Sequence, residues 1–295
     1  MILLPNVVRT RTSDIIIFII PMIVVLFALL IIPLIYSFWI SLCELDLGIQ
    51  SYLIPTFIGL GNYIRILTDK MIWNSFAITV EFVSISLALE LGLGLVLALA
   101  LLRIPRGVTF YRTIFLLPLT IAPALAAALF KSMLNSDFGV INYLIESLGF
   151  QGVNWLSDPS IVVFVFILLD LWQNSPFALL VFYAGLRSIP RSIYDASELD
   201  GASSFQILRY ITFPLLKRIF LIVMIVRGLT LFQIFDYVHV LTGGGPGYSS
   251  QFISWTLYIY WVRLFNFGVA SALSWLVLLV TIPFILYFFK FIIEE

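Results

Sequence analysis

The sequence predicts an all-α polytopic integral membrane protein with six transmembrane helices, and three observations lead there. Of its 295 residues, 62% are hydrophobic and only 11% charged, with a mean hydropathy of +1.11, whereas soluble domains carry about 25% charged residues. The apolar residues gather into six runs of the roughly 20 residues that a bilayer requires. Between the runs, Lys and Arg are divided unevenly, as expected when positive residues are retained on the cytoplasmic side.

In chain order, residues 1–14 carry Arg9 and Arg11 and read as a cytoplasmic N-terminus. The first span, 15–40, exceeds the roughly 7 to 15 residues of a signal-peptide core and is read as uncleaved. Pro21 and Pro33 can kink it, which membrane helices tolerate. Residues 41–72, with Glu44, Asp46 and Asp69, read as an external loop with one short helix. Spans two, three and four are expected at 73–102, 113–134 and 161–186, the third containing Pro118 and Pro123. The loop 103–112 carries Arg103, Arg106 and Arg112, while 135–160 is polar and external. Spans five and six fall at 215–241 and 267–292, separated first by a Gly-rich external turn at 242–250. The cytoplasmic side thus collects Arg187, Arg191, Arg209, Lys217, Arg218 and the tail residue Lys290 with the arginines above, leaving Arg65, Lys70, Lys131 and Arg263 outside. Both termini and the loop 187–214 are therefore expected in the cytoplasm.

That loop is the polar exception in a greasy chain. Ser192 followed three residues later by Asp195 has the form of a helix N-cap, after Pro190, and predicts a short helix over 193–199. Asp200 and Gly201 form a turn in which glycine can take a positive φ. Ser203 with Gln206 reads as a capping box for a second helix, in which Phe205, Leu208 and Ile211 share a face before Pro214 opens the fifth apolar run. Two short helices meeting at a glycine hinge suit a docking surface, although a plain helix-turn-helix connection between spans would have the same pattern.

The words Asp195-Ala196-Ser197, Asp200-Gly201-Ala202 and Ile211-Thr212-Phe213-Pro214 resemble the signature cytoplasmic loop of ABC importer membrane subunits, usually written E-A-A, D-G-A and I-x-L-P. Asp195 stands where the family usually has Glu, Ser197 replaces the second Ala, Leu208 a common Phe, and Phe213 the Leu. Gly59-Leu60-Gly61-Asn62-Tyr63 and Asn154-Trp155-Leu156 resemble the same family. The run from Phe235 to Pro246, FDYVHVLTGGGP, is similar to its carbohydrate branch, the maltose and glycerol-3-phosphate type, which takes up sugars, polyols and glycerol phosphates. The resemblance covers most of the chain and implies the type I importer permease fold, with residues 15–295 as the transmembrane permease domain. It also implies a second permease subunit forming a heterodimer, two cytoplasmic ATPase subunits that bind ATP and Mg, and an extracytoplasmic solute-binding protein, all at a cell membrane. Tyr194, Asp195, Ala196, Ser197, Asp200, Gly201 and Ala202 would then couple the chain to the ATPases.

Other chemistry is narrowed by composition. A net charge of zero offers no basic surplus for nucleic acid. Cys43 is the one cysteine and His239 the one histidine, which excludes an internal disulfide and any Cys or His metal cluster. The run Thr242-Gly243-Gly244-Gly245-Pro246-Gly247 lacks the Lys-Ser or Lys-Thr of a phosphate loop. With no nucleotide motif and no catalytic constellation, the chain is expected to have no enzymatic activity and no cofactor of its own.

Within the spans stand Glu81, Glu90, Asp170 and Arg227, costly enough in lipid that each should face protein or water. Glu81 and Glu90 have no obvious partner in the sequence. Asp170, Gln173, Asn174 and Phe177 share one helical face of the fourth span, and Arg227 and Thr230, with Gln233 alongside, gather on the fifth. Polar groups beside an aromatic suit a sugar pathway, whose hydroxyls need hydrogen-bond partners and whose rings stack. Polar contacts between helices would give the same stripe. Asp170 and Arg227 are expected to pair or to share a bound sugar. The alternative class is an ion-coupled secondary transporter with Asp170, Glu81 or Glu90 as proton sites, disfavoured by the docking loop and the lack of a visible inverted repeat. A non-transporting scaffold would leave the stripe unexplained.

Overall fold

The computed structural model describes residues 12–48 and 54–293. Arg9, Arg11 and most of the expected N-terminal segment lie outside the described residues. The chain forms two compact units, one from the described residues up to Ile66 with Tyr260–Leu276, the other from Leu67–Ile259 with the residues from Val277 on.

In the first unit, α1 (Thr12–Leu26) runs through a π-helical turn, Phe27–Ile31, into α2 (Ile32–Ser41). Pro33 sits just past the widened turn, where its missing N–H and its ring would otherwise disturb a regular helix. The following loop makes a short antiparallel pair, β1 (Cys43–Glu44) with β2 (Thr56–Phe57), before the expected short helix, α3 (Gly61–Thr68). Buried Asn62 closes this loop by donating to the carbonyls of Ser41 (3.0 Å) and Cys43 (2.8 Å). Asn266 donates to Asp46 at 2.6 Å, and Phe38 meets Trp275 edge to face.

The second unit is organised around two long helices. α4 (Lys70–Leu102) starts at Asp69, whose side chain accepts from the Met71 N–H. After α5 (Val108–Leu116) come a 3-10 turn, Pro118–Thr120, and α6 (Pro123–Met133). The third apolar run is therefore broken, contrary to the single helix expected over 113–134: Pro118 and Pro123 each open a new helical segment, where a missing N–H does no harm. The external loop contains α7 (Val140–Ser147), then α8 (Val162–Ser188) carries Pro176 in its interior. α4 packs along α8. At Gly94 an added Cβ would lie 2.5 Å from that of Ala178, so glycine allows the close approach typical of membrane helices.

Beyond α8 lie α9 (Arg191–Leu199), α10 (Ser204–Ile207), a second π turn at Leu208–Thr212, and α11 (Phe213–Leu231). Pro214 follows this π turn as Pro33 follows the first. α10, the turn and α11 thus form one helix, rather than a separate second short helix ahead of the fifth span. The fifth apolar run breaks at Phe232–Ile234 and resumes, bent by 44°, as α12 (Phe235–Leu241). α13 (Ile253–Tyr258) with a third π turn, Ile259–Arg263, fills a stretch left unassigned by the sequence, and α14 (Phe267–Ile293) closes the chain.

Among the described residues, four helices are long and apolar enough to cross a membrane, and five if the bent pair counts as one. Two apolar clusters hold the second unit. One centres on Phe82, Phe166, Phe252 and Trp255, and the other on Ala98, Leu179, Phe182 and Leu216.

Candidate functional site

Two groups of residues are built for something beyond packing. The first is the polar turn after α8. Its helix begins at Arg191, two residues earlier than predicted, and Ser192 makes no cap, because Pro190 with its extended ψ of 131° takes the cap position. The Pro190 carbonyl accepts from the Ile193 N–H at 3.1 Å, and Asp195 lies 3.8 Å from Arg191 as an exposed i,i+4 pair. At the other end, Ala202 N–H reaches the Ser197 carbonyl (3.0 Å) and Gly201 N–H the Glu198 carbonyl (3.1 Å), with Gly201 at φ +77°. This is a Schellman closure, which satisfies the last carbonyls and requires a left-handed residue at its glycine. Ser203 and Gln206 form the expected capping box.

The turn therefore has a fixed shape. Ser197 is buried and donates to the Tyr194 carbonyl at 2.7 Å, while Tyr194 faces Thr212 across 3.4 Å. Leu199, by contrast, is 89% exposed, and Asp195, Ala196, Asp200 and Gly201 are exposed around it.

The second group is a buried polar network across α4, α8, α11 and α12. Arg227 donates to both oxygens of Glu90, Nε to Oε2 at 2.7 Å and Nη2 to Oε1 at 2.6 Å. Its Nη2 also reaches Asp170, at 3.1 and 3.2 Å, and Nη1 reaches Thr230 at 2.8 Å. Asp170 accepts from Asn174 (2.8 Å), whose amide also lies 3.1 Å from the Tyr237 hydroxyl. Tyr237 donates to Gln173 (2.7 Å), and Gln173 donates to the Ile121 carbonyl (2.6 Å). Each bond has a structural reason. Ile121 lies at the break before α6, where its carbonyl has left the helical ladder and needs a donor. Tyr237 lies in α12 just beyond the bend at Phe232–Ile234, and its hydroxyl reaches Gln173 and Asn174 on α8.

Of the predicted stripe, Asp170 and Arg227 do meet, with Gln173 and Asn174 beside them. Glu90, expected to lack a partner in the chain, is instead fully buried and clasped by Arg227, while Glu81 is exposed. Phe177 leaves the polar network and packs with the Leu179 and Phe182 cluster. Gln233 lies in the break, off the helical face of Arg227, and is exposed, as is Thr230. The sequence reading missed Tyr237, although it falls on the face of Thr230 and Ile234 at i+7 and i+3, and Ile121, which acts through a backbone carbonyl freed by a helix break. The prolines at 118 and 123 signalled that break, and charge balance pointed to Glu90, with two acids competing for one arginine.

Chemically, the network is a closed set of donors and acceptors with two carboxylates around one guanidinium. Bidentate contacts of this kind are strong and geometrically selective. Among the described residues no group of three or more His, Cys, Asp or Glu side chains could hold a metal ion.

No family model matches the chain. It is 35% identical over 274 residues to the trehalose/maltose transport system permease protein MalF of Thermococcus litoralis, covering 92% of this chain and 91% of that protein. It is 30% identical to the sulfoquinovosyl glycerol transport system permease protein SmoG of Agrobacterium fabrum, over 78% of this chain and 74% of the relative. Among solved structures it is similar to a bacterial ABC transporter involved in the import of the acidic polysaccharide alginate. The TM-score there is 0.82, with 20% identity over 95% of each chain. The same type of transporter in complex with an alginate pentasaccharide-bound periplasmic protein matches with a TM-score of 0.80 and 20% identity, over 93% of this chain and 92% of that one.

Proposed function

Since the chain belongs to the family of ABC transporter permease subunits, we propose that it is the membrane-spanning permease subunit of an ATP-driven importer that carries a sugar or related polyol into the cytoplasm. The observation that carries this reading is the resemblance to a trehalose/maltose permease over nearly the whole chain, joined to a rigid D-G-A turn with an exposed leucine at its tip. In this reading the broken third and fifth runs each count as one crossing, giving six spans with both termini and residues 187–214 in the cytoplasm. A second permease subunit completes the pore. Two cytoplasmic ATPase subunits bind ATP and Mg and do the hydrolysis, and this chain catalyses no reaction. An extracytoplasmic binding protein delivers the solute, as the alginate importer's complex with a periplasmic protein suggests by analogy.

Tyr194, Asp195, Ala196, Ser197, Asp200, Gly201 and Ala202 present the surface that seats in the ATPase subunit, Tyr194 and Ser197 holding its shape and the others making contact. Among the pathway residues we assign two roles. Asp170 and Arg227, buried and bonded to each other, and buried Gln173, joined to them through Tyr237 and Asn174, form the frame of the pathway with Glu90. Asn174, Phe177, Thr230 and Gln233 keep exposed or half-buried surface and border the solute or the second subunit. The ion-coupled alternative loses its proton sites, because Glu90 and Asp170 are committed to Arg227 and Glu81 faces outward.

Uptake by cells or proteoliposomes decides between the two energy sources. Solute accumulation should collapse when ATP is depleted and persist with an uncoupler. Accumulation that follows the ion gradient instead would sink the proposal.

A further inference from the structure

At the end of α8 away from the polar turn lies a cavity of about 370 Å³. It is formed by the end of α6, the loop before α8, the end of α12 and the glycine-rich turn. The 27 residues of α8 separate it from the Gly201 turn, about 40 Å at 1.5 Å per residue, and none of its lining residues belongs to the Arg227 network. Six of them give it its chemistry: Lys131, Asn135, Asn154, Trp155, Ser157 and Thr242.

The walls are held before any ligand arrives. Trp155 donates its indole N–H to Asn142 (2.9 Å), and buried Asn142 is itself tied to the Val153 backbone at 3.0 and 3.1 Å. Lys131 donates to the Val240 carbonyl (2.7 Å), so its charge is directed to the end of α12. Thr242 accepts from Gly244 N–H and shares a hydrogen bond with Ser250. The side chains of Asn154 and Ser157, by contrast, make no hydrogen bond among the described residues. None of the lining residues is acidic.

We propose that this cavity binds a neutral saccharide of one or two rings, as an outer site distinct from the membrane-embedded pathway. Its volume is at the low end for small-molecule sites, which favours so small a ligand. A fixed indole offers a face for a pyranose ring, and a free amide and hydroxyl can both donate to and accept from sugar hydroxyls. Preformed walls keep the ordering cost of binding low. The extracytoplasmic position and the choice of sugar rest on the importer reading above.

The test uses the complete importer in nanodiscs, without its binding protein, and maltose as the probe in saturation-transfer NMR. Maltose should receive saturation from the parent. Asn154→Ala should weaken its apparent Kd by about 2- to 12-fold, the range for a lost hydrogen bond, and Trp155→Ala by about tenfold or more. Asn154 and Ser157 are exposed, so Asn154→Ala and Ser157→Ala keep the test valid if the tryptophan variant misfolds. No saturation transfer to maltose, or equal transfer in the parent and the Asn154 and Ser157 variants, overturns the proposal. So does crosslinking of an extracytoplasmic protein to Asn154→Cys that leaves maltose contact unchanged, which would make the cavity a protein contact. ATP-driven uptake by the same importer in proteoliposomes supplied with its binding protein separates the two readings: absent uptake counts against the importer, and normal uptake without maltose contact in the nanodiscs counts only against the outer site.

Discussion

Replacing Arg227 by alanine removes the charge-assisted hydrogen bonds to Glu90 at 2.6 and 2.7 Å, those to Asp170 at 3.1 and 3.2 Å, and the one to Thr230 at 2.8 Å. What remains is worse than an absence, because Glu90 is 0% exposed and Asp170 3%. Two carboxylates would then share a buried site without a cation, and breaking such a pair costs about 3 to 5 kcal/mol. At roughly 2 to 4 °C per kcal/mol for a chain segment of this size, the melting temperature in detergent should fall by about 6 to 20 °C. Replacing the whole set, Glu90→Leu, Asp170→Leu and Arg227→Met together, should recover most of that loss, since apolar side chains leave no charge to satisfy. The assay is fluorescence-monitored melting of the purified subunit with the amount of assembled complex measured beside it. An Arg227→Ala protein that melts within 1 or 2 °C (about the size of a surface change) of the parent and assembles normally would refute the argument that the network holds α4, α8 and α11 together.

Three further outcomes are expected. Gly201→Val should lower uptake while the protein still inserts. An added Cβ there meets nothing within 4 Å, so the cost is the positive φ alone, about 1 kcal/mol or more, and Gly201→Asn, which tolerates that φ, should retain more uptake. Tyr237→Phe should cost about 0.5 to 1.5 kcal/mol for each of its two lost bonds, to Gln173 and from Asn174, read as a modest melting shift; a loss as large as that of Arg227→Ala would contradict the assigned hierarchy. Reporters fused after Arg106 or within residues 203–206 should label as cytoplasmic, and those after Asp137 or Gly247 as external, with reversed labelling of either pair overturning the topology.

The sequence was most legible where one residue type has one physical use. Gly201 announced its left-handed turn, and the Ser203 and Gln206 pair its capping box. Apolar length located α4, α8 and α14 closely, as lipid offers no other way to satisfy a backbone of that composition. Ser192 misled because a serine cap and a proline cap compete at neighbouring positions, and Pro190 won through its extended backbone. The Asp170 and Arg227 pairing was visible in charge and periodicity, but the clasp on Glu90 was not, because sequence does not say which faces of α4 and α11 meet. Tyr237 was hidden for another reason: it stands seven residues after Thr230 and on the same helical face, but an aromatic there reads as packing until its partners on α8 are known.

The absence of a break between Ser204 and Leu231 has a mechanical consequence. From Ser204 the backbone remains helical through the π turn to Arg227, about 35 Å at 1.5 Å per residue. Such a rod works as a lever whose short end is the Gly201 turn. A tilt of about 5° there sweeps Arg227 sideways by about 3 Å, farther than a hydrogen bond can stretch before it is lost. The guanidinium clasp on Glu90 and Asp170 therefore tolerates little angular play at the polar turn, and the π turn at Leu208–Thr212 is the one place along the rod where the regular α-helical ladder changes and such play would be absorbed.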